Sequence, residues 1–239
     1  VEQKGFGFNF EFEEEINHKV FGTVVHNTLE DLYKNTNSTL SEDVVKNFQT
    51  QKEELIKEHF DDNFSKEAYL NGSNRLKYEI AFSSVSEFLN QEIKFLKNNT
   101  IKILDVEKEV STSIKIKDRE VVLKGKIDRI DVYNDTVRIL DYKTGYVTTS
   151  DLNIKEWGYV IEDYKYSKVF QTLFYALIYS KSHEISNLQA GIISMKNLKS
   201  WFMPVKKDKE SNIDTPLLDQ FQAFLGELLT EILDPETAF

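Results

Sequence analysis

The stretch GKIDRIDVYNDTVRILDYKTG, residues 125–145, decides how the middle of this chain folds. Apolar and polar residues alternate on both sides of the dipeptide Asn134–Asp135, a pattern that predicts two β-strands. Asn and Asp tolerate the backbone angles of a two-residue hairpin turn, so we expect the turn at this dipeptide. The turn sets the register of the hairpin, and the apolar pairs that it predicts are Val132 with Val137 and Ile130 with Ile139.

The same register brings charged residues together on one face. It sets Asp128 opposite Asp141, and Lys126 opposite Lys143, because side chains alternate along a strand. Two facing carboxylates destabilise a sheet unless one holds a proton or a cation lies between them. A divalent ion such as Mg²⁺ prefers carboxylate oxygens, and an adjacent lysine can hold a water or a developing negative charge. The hairpin therefore predicts metal-assisted phosphodiester hydrolysis, with a charged pair that simply faces solvent as the alternative.

Asp131 is equally acidic but has a different predicted role. In the same register it faces Arg138 on the opposite face of the hairpin. A cross-strand ion pair therefore explains Asp131 better than a metal site does. A β-bulge would break the register, and both inferences with it.

Composition limits the class of protein. The chain has 239 residues, of which 40% are hydrophobic, so one large domain with a real core is expected. No apolar run approaches the roughly 18 residues of a membrane span. The absence of cysteine excludes disulfides, thiolate catalysis, Cys-ligated zinc and an internally ligated iron–sulfur cluster, and it fits a cytoplasmic protein. The net charge of −10 argues against a purely electrostatic nucleic-acid binder, but not against an enzyme that grips nucleic acid locally.

Hydrophobic periodicity predicts an α/β fold with a mixed sheet flanked by helices. Helical patterns and period-two patterns alternate along the chain, with a loop expected at residues 71–74. The predicted helices cover residues 21–35, 41–64, 83–99, 166–182 and 216–233. The predicted strands form a three-stranded meander over residues 101–143 and two further strands at 188–197 and 199–207. We expect a single domain over residues 1–239, in which a helical part (1–100) packs beside a core (101–239). Residues 1–10 resemble neither a signal peptide nor a Met start, so we expect a fragment of a longer protein.

Four short motifs occur in an order that resembles a known family. They are GTVVHNTLEDLY at residues 22–33, GKIDRID at 125–131, ILDYKTG at 139–145 and FQTLFY at 170–175. Each is weak alone, but the ordered set resembles the G-x-x-x-H…LE, D, D-x-K and Q-x-x-x-Y elements of the RecB-like branch of the PD-(D/E)xK nuclease superfamily. The resemblance implies a restriction-endonuclease-like α/β fold and metal-dependent cleavage of DNA.

Carried over residue by residue, the resemblance assigns the chemistry to the hairpin and to the first helix. His26, Asp128 and Asp141 become metal ligands, with the backbone carbonyl of Tyr142 as a further ligand. Lys143 becomes the catalytic lysine and acts together with the two aspartates. A lone histidine on a helix is more often a surface or capping residue, so the motif order carries this assignment. Imidazole suits transition metals better than Mg²⁺, so Mn²⁺ stays open.

Supporting residues follow from the same resemblance. A glutamate on the preceding strand approaches the site in that branch; Glu109 fits best and Glu107 is the alternative. Gln171 and Tyr175 would flank the site on a helix, although an i, i+4 pair is also compatible with an ordinary helix surface. Two basic residues of the hairpin are candidates for phosphate contacts, with solvated side chains as the commoner case: Lys126 and Arg129.

The resemblance also implies a biological setting. It predicts an exonuclease in DNA end processing and recombinational repair, with DNA and a helicase domain or subunit as partners and no membrane. AddB-type members of the branch often hold an iron–sulfur cluster with cysteines flanking the core; this chain has none, although DPETAF (234–239) resembles the stretch before their C-terminal cysteines. Two rivals remain: a non-catalytic nuclease-like domain that binds DNA or a protein, and a structural domain whose meander matches by chance.

Overall fold

The computed structural model describes residues 16–36 and 39–234, so the first ten residues and all but the first residue of DPETAF lie outside the described residues. Within these ranges the elements follow the predicted order of helices, meander, helix, strands and helix. The helices are α1 (His18–Tyr33), α2 (Glu42–Asn63), α3 (Gly72–Leu96), α4 (Trp157–Glu162), α5 (Ser167–Ser180) and α6 (Thr215–Ile232). The strands are β1 (Ile101–Ile116), β2 (Arg119–Tyr133), β3 (Thr136–Lys143), β4 (Asn153–Ile154), β5 (Leu188–Ser194), β6 (Phe202–Pro204) and β7 (Lys206–Lys207).

The main sheet is mixed, as predicted. Its strand order is β1-β2-β3-β5-β6, and the first three strands form the antiparallel meander. β5 then pairs parallel to β3, which requires the crossover that α5 supplies, and β6 pairs antiparallel to β5. β4 and β7 form a separate two-stranded parallel sheet. A five-stranded mixed sheet with helices packed on it is the restriction-endonuclease-like fold that the sequence predicts.

Helices cover both faces of the sheet. Neighbouring residues of β3 point to opposite faces, and Ile139 belongs to one hydrophobic cluster while Leu140 belongs to the other. The cluster of Ile139 contains the buried hydrophobic residues of α5 and α6. The cluster of Leu140 contains the buried hydrophobic residues of α1, α2 and α3. No helix in the described part of the chain is long and apolar enough to cross a membrane.

Two element predictions are wrong in detail. The expected loop at residues 71–74 is the start of α3, which runs from Gly72 and so includes the serines that look like a helix start. One of these serines, Ser86, forms its hydrogen bond inside the helix, where its hydroxyl donates to the Phe82 carbonyl at 2.6 Å. The expected strand 199–207 is divided into β6 and β7, and it begins only after Trp201, whose φ of 50° is incompatible with a strand.

Candidate active site

The hairpin of β2 and β3 has the predicted turn and register. Asn134 and Asp135 have φ of 44° and 68°, the two positive angles that a type I′ turn requires. The paired residues extend from this turn to Arg129 with Leu140. They include the predicted apolar pairs, Val132 with Val137 and Ile130 with Ile139.

Beyond these pairs the two strands separate, and the predicted pair of facing carboxylates does not form as a ladder pair. Among the described residues the recorded pairing stops before Asp128 and Asp141. Instead, the main-chain N–H of Tyr142 donates to Oδ2 of Asp128 at 2.6 Å. The Asp128 carboxylate thus takes the place of the backbone carbonyl that would otherwise accept a hydrogen bond from the Tyr142 N–H.

The predicted pair of facing lysines, Lys126 and Lys143, lies beyond the last ladder pair, and each lysine contacts other residues. The ammonium Nζ of Lys126 lies 2.7 Å from a carboxylate oxygen of Glu107 and 3.9 Å from one of Glu30. Lys143 is bound elsewhere, on the side of α5. Because like charges directly opposite each other repel, separation of the strands lets each lysine find a counter-charge.

Three side chains from three elements form a compact cluster. His26 of α1, Glu107 of β1 and Asp128 of β2 each offer one possible ligand atom, and these atoms lie within 4.8 Å of one another. Nδ1 of His26 lies 3.4 Å from Oδ2 of Asp128. Burial lowers the pKa of the His26 imidazole, but the bond to Asp128 and nearby negative charges outweigh it and raise the pKa.

The glutamate of β1 that reaches this cluster is Glu107, the alternative, and not Glu109, the preferred residue of the sequence analysis. Residues two apart on a regular strand share a face, but Glu107 has φ of 50° and interrupts that alternation. Glu109 is exposed and opposes Lys126 in the β1–β2 pairing. Burial raises the pKa of Glu107, and the hydrogen bond from Lys126 acts against this rise.

Next to the cluster, Asp141 and Lys143 on β3 are joined to α5. Nζ of Lys143 donates to Oδ1 of Asp141 at 3.0 Å and to Oε1 of Gln171 at 2.8 Å. Nε2 of Gln171 in turn donates to the hydroxyl of Tyr175 at 3.0 Å. Gln171 and Tyr175, the residue pair predicted on this helix, therefore help to hold Lys143 in place.

The Asp141 carboxylate is buried, and the negative charge of Asp128 lies near it. The pKa of Asp141 is raised to about 6, chiefly by burial and also by the charge of Asp128, while Lys143 opposes the rise. Oδ2 of Asp141 lies 2.8 Å from Nζ of Lys143 but has no hydrogen bond of acceptable geometry. Such a group favours an additional cation.

Comparison with known proteins identifies the family of this chain. A sequence model of the PD-(D/E)XK nuclease superfamily matches residues 4–239. The chain belongs to this superfamily. No curated protein matches the chain. A solved structure titled "Crystal structure of SSO0001" is 13% identical over 69% of this chain and 79% of that chain, with a TM-score of 0.28.

Membership of the PD-(D/E)XK superfamily indicates metal-dependent nuclease activity, and the residues present fit a divalent cation. Two carboxylates and one imidazole converge in the cluster of His26, Glu107 and Asp128. The buried Asp141, with its unsatisfied Oδ2, adds negative charge beside them. Oxygen ligands suit Mg²⁺, whereas the imidazole also suits Mn²⁺, so the donor set is compatible with either.

Gly125, the first residue of the stretch GKIDRID, allows α5 to approach the hairpin. A Cβ added at Gly125 would lie 2.8 Å from Cε1 of Tyr175, closer than real Cβ contacts. The ring therefore packs directly over the glycine backbone. Through Gln171 this contact influences where Lys143 lies.

Arg129, the second candidate for phosphate contacts, has a structural position instead. Its side chain is 1% exposed, so the prediction of a DNA contact is wrong for this residue. Its guanidinium lies 2.7 Å from Glu92 and 2.7 Å from Asp131, and 3.5 Å from the hydroxyl of Tyr142. Tyr33 donates a hydrogen bond to the same Glu92, which completes a buried charged network below the hairpin.

The predicted ion pair of Asp131 with Arg138 is confirmed. Nε and Nη2 of Arg138 donate to the two carboxylate oxygens of Asp131 at 2.8 and 2.9 Å. Glu92, by contrast, was missed by sequence reasoning. It lies among the apolar residues of the buried face of α3, and that position for a charged residue was the only signal.

Proposed function

We propose that this chain is a deoxyribonuclease that hydrolyses phosphodiester bonds with a bound Mg²⁺ or Mn²⁺. The observation that carries the proposal is that Tyr142 joins the ligand cluster to the D-x-K motif. Its N–H holds Asp128 of the ligand cluster, and its two sequence neighbours, Asp141 and Lys143, form the bonded pair of the D-x-K motif. Superfamily membership supports the same chemistry.

In this proposal His26, Asp128 and Glu107 would hold the cation. Asp141 and the carbonyl of Tyr142 would be further ligands, as the resemblance implies. A divalent cation bound there supplies positive charge to the scissile phosphate and lowers the pKa of a bound water. The buried carboxylates prefer such a cation because burial otherwise penalises their negative charge.

Lys143 orients the attacking water and stabilises negative charge that develops on the phosphate oxygens. Its ammonium has donors beyond those used by Asp141 and Gln171, and these donors are available to water or substrate. Gln171 and Tyr175 keep the lysine in place from α5. A fixed donor stabilises a transition state more than a mobile one, because it needs no reorganisation during the reaction.

We further propose that the chain works as the nuclease part of a RecB-like or AddB-type helicase–nuclease in the cytoplasm, and that it degrades DNA from ends. The support is the order of the four motifs, which extends over residues 22–175. In this setting DNA is the substrate and a helicase domain or subunit is the partner.

The test is cleavage of linear single-stranded and double-stranded DNA with Mg²⁺ or Mn²⁺. We expect cleavage by the wild type and a loss of roughly 100-fold or more in Lys143→Ala and Asp141→Asn. Lys124→Ala provides a matched control, because Lys124 is an exposed lysine of the same strand as Asp128 and belongs to no part of the site. Equal cleavage by all proteins, or by none, contradicts the proposal.

Circular DNA distinguishes the mode of cleavage. An exonuclease needs an end, so it leaves covalently closed circles intact while it degrades the linear form. Cleavage of circles at the same rate contradicts the exonuclease assignment without affecting the hydrolytic one. Tight DNA binding without any cleavage favours the rival, a non-catalytic nuclease-like binding domain.

A further inference from the structure

A cleft of about 520 Å³ lies at the small sheet of β4 and β7 and is lined mainly by polar and basic residues. We call it the lysine cleft. Its charged lining consists of three lysines and one aspartate, in a chain whose net charge is −10. The lining residues are Thr149, Asn153, Ile154, Lys155, Lys206, Asp208 and Lys209.

The three lysines of the cleft are not used by the fold. Within residues 16–36 and 39–234, Lys155, Lys206 and Lys209 have no ion pair or side-chain hydrogen bond with another residue. Lys207 between them differs, because its ammonium donates to Gln220 at 2.8 Å and lies over the ring of Trp157. Lys207 thus links the small sheet to α6. The ammonium groups of the three cleft lysines, in contrast, are free to bind a group outside the protein.

The turn at the tip of the cleft has positive φ angles, which glycine adopts more easily than other residues do. Asp208 and Lys209 have φ of 52° and 72°, and they join two residues that exchange main-chain hydrogen bonds of 3.0 and 2.9 Å, Lys207 and Glu210. A two-residue turn with positive φ at both positions favours Asn or Asp followed by Gly. Lys209 therefore places a cation at the tip of the cleft, at a conformational cost relative to glycine.

The lysine cleft and Lys143 lie on the same side of the main sheet. The Val205 N–H, just before β7, donates to the Ala190 carbonyl, and Ala190 pairs with Ile139 of β3. Lys143 is four residues further along β3, which is roughly 13 Å along the strand and about 10 Å across two strand spacings. Ile139 and Lys143 share a face, and Ile139 belongs to the cluster that also contains Ile154 of β4.

We propose that the lysine cleft binds the phosphodiester backbone of DNA on the strand that extends away from the cleavage site. The proposal rests on the proposed nuclease function, which provides the reason for DNA to lie nearby. Because the chain runs on from Val205 away from the Lys143 end of β3, the separation corresponds to at least about five nucleotides at roughly 3.4 Å per nucleotide of one strand. Three unpaired ammonium groups neutralise phosphates and release counterions, whereas Thr149 and Asn153 offer polar contacts.

The exposed carboxylates nearby do not prevent this binding. Asp208 lines the cleft, and Glu156 and Glu210 are sequence neighbours of its lysines. They are exposed and solvated. Their negative charge weakens anion binding around the cleft, so that favourable binding is confined to the cleft itself. A protein with this net charge can therefore hold DNA at one local track without attracting it everywhere.

The test measures DNA binding without cleavage, by fluorescence anisotropy of labelled single-stranded and duplex DNA in EDTA at several salt concentrations. The test variant is Lys155→Gln, Lys206→Gln, Lys209→Gln. The control variant, Lys66→Gln, Lys94→Gln, Lys97→Gln, removes the same charge from exposed positions on or beside α2 and α3. We expect the test variant to bind at least about tenfold more weakly at low salt and to lose roughly 2 to 3 from the slope of log K against log salt.

Lys209→Gly separates binding from folding. Glycine relieves the positive φ at this position, so the melting temperature should stay equal or rise while DNA affinity falls. Replacement of the three lysines by arginine keeps the charge and should keep the binding. Unchanged affinity in a folded Lys209→Gly variant would contradict a role for this charge.

Binding and cleavage are read separately, so the two proposals can fail separately. Equal affinity and equal salt slope in the wild type and the test variant overturn the lysine cleft, even if the wild type cleaves DNA. An equal loss in the control variant overturns it too, as does a wild type that binds no DNA. A loss confined to the test variant supports the cleft, even if no cleavage is detected.

Discussion

The main-chain N–H of Tyr142 donates a 2.6 Å hydrogen bond to Oδ2 of Asp128, at the point where β2 and β3 stop pairing. The same oxygen lies 3.4 Å from Nδ1 of His26. A carboxylate of β2 therefore replaces a backbone acceptor of the sheet and faces α1 at the same time. This single bond joins the ligand cluster to the strand that carries Asp141 and Lys143.

Asp128→Asn should separate metal binding from folding. The asparagine oxygen can still accept the Tyr142 N–H, and one negative charge near Asp141 is removed, so stability in EDTA should be equal or higher. Binding of a cation to the folded state stabilises it by about 2.7 kcal/mol at 100 times Kd. The melting temperature of the wild type should therefore rise with Mg²⁺ or Mn²⁺, and that of the variant should not.

The control for this measurement is Asp118→Asn, an exposed aspartate at the turn between β1 and β2. It should show the full rise of the wild type. An equal rise in Asp128→Asn would mean that the cation binds elsewhere.

Gly125→Ala should reduce catalysis by moving the helix that holds Lys143. The added Cβ would lie 2.8 Å from the Tyr175 ring, which must shift. We expect a loss of about 1–3 kcal/mol in the free energy of unfolding and a roughly 10- to 100-fold lower kcat. Gly158→Ala is the matched control, because nothing lies within 4 Å of a Cβ added there. Unchanged kcat in Gly125→Ala would remove Tyr175 from the positioning of the lysine.

The buried pair of Arg129 and Glu92 should show strong coupling. Either Arg129→Met or Glu92→Leu leaves the partner charged and buried, which costs about 3–5 kcal/mol. The double variant removes both charges of this pair, and Asp131 keeps Arg138 as a partner. Urea denaturation should therefore give a double variant more stable than the sum of the single losses predicts, by about 1 kcal/mol or more. Additive losses would contradict the network.

The contribution of Asp31 to stability should depend on pH. Burial acts to raise the pKa of Asp31, but hydrogen bonds from Lys34 and His59 outweigh it and lower the pKa below the ordinary 3.8. Because the folded-state pKa is the lower one, the stabilisation is present above pH 3.8 and is lost as the pH falls through the folded-state value.

Asp31→Asn should therefore be less stable than the wild type at pH 7, by about 1 kcal/mol or less, since this site is partly exposed. The difference in the free energy of unfolding should shrink as the pH falls towards 3. A difference that stays constant with pH would show that the charge of Asp31 does not contribute.

Local patterns were sufficient for much of the fold and for part of the site. The Asn134–Asp135 turn and the alternation around it predict the register of β2 and β3, because turn geometry and side-chain period are local properties. The same register separates Asp131, which pairs with Arg138, from the aspartates near the site. The ordered motifs predict the superfamily that the comparison establishes.

Only the tertiary structure decided which residues meet where a strand departs from ideal geometry, and where distant elements pack together. The positive φ of Glu107 brings that residue to the cluster in place of Glu109, although both lie on one strand. Arg129 is buried because Glu92, 37 residues away on α3, packs against it. The separation of the strands beyond Arg129 and Leu140 lets Asp128 bond to Tyr142. Sequence determines register through local backbone preferences, whereas burial and strand separation depend on packing between residues far apart in the chain.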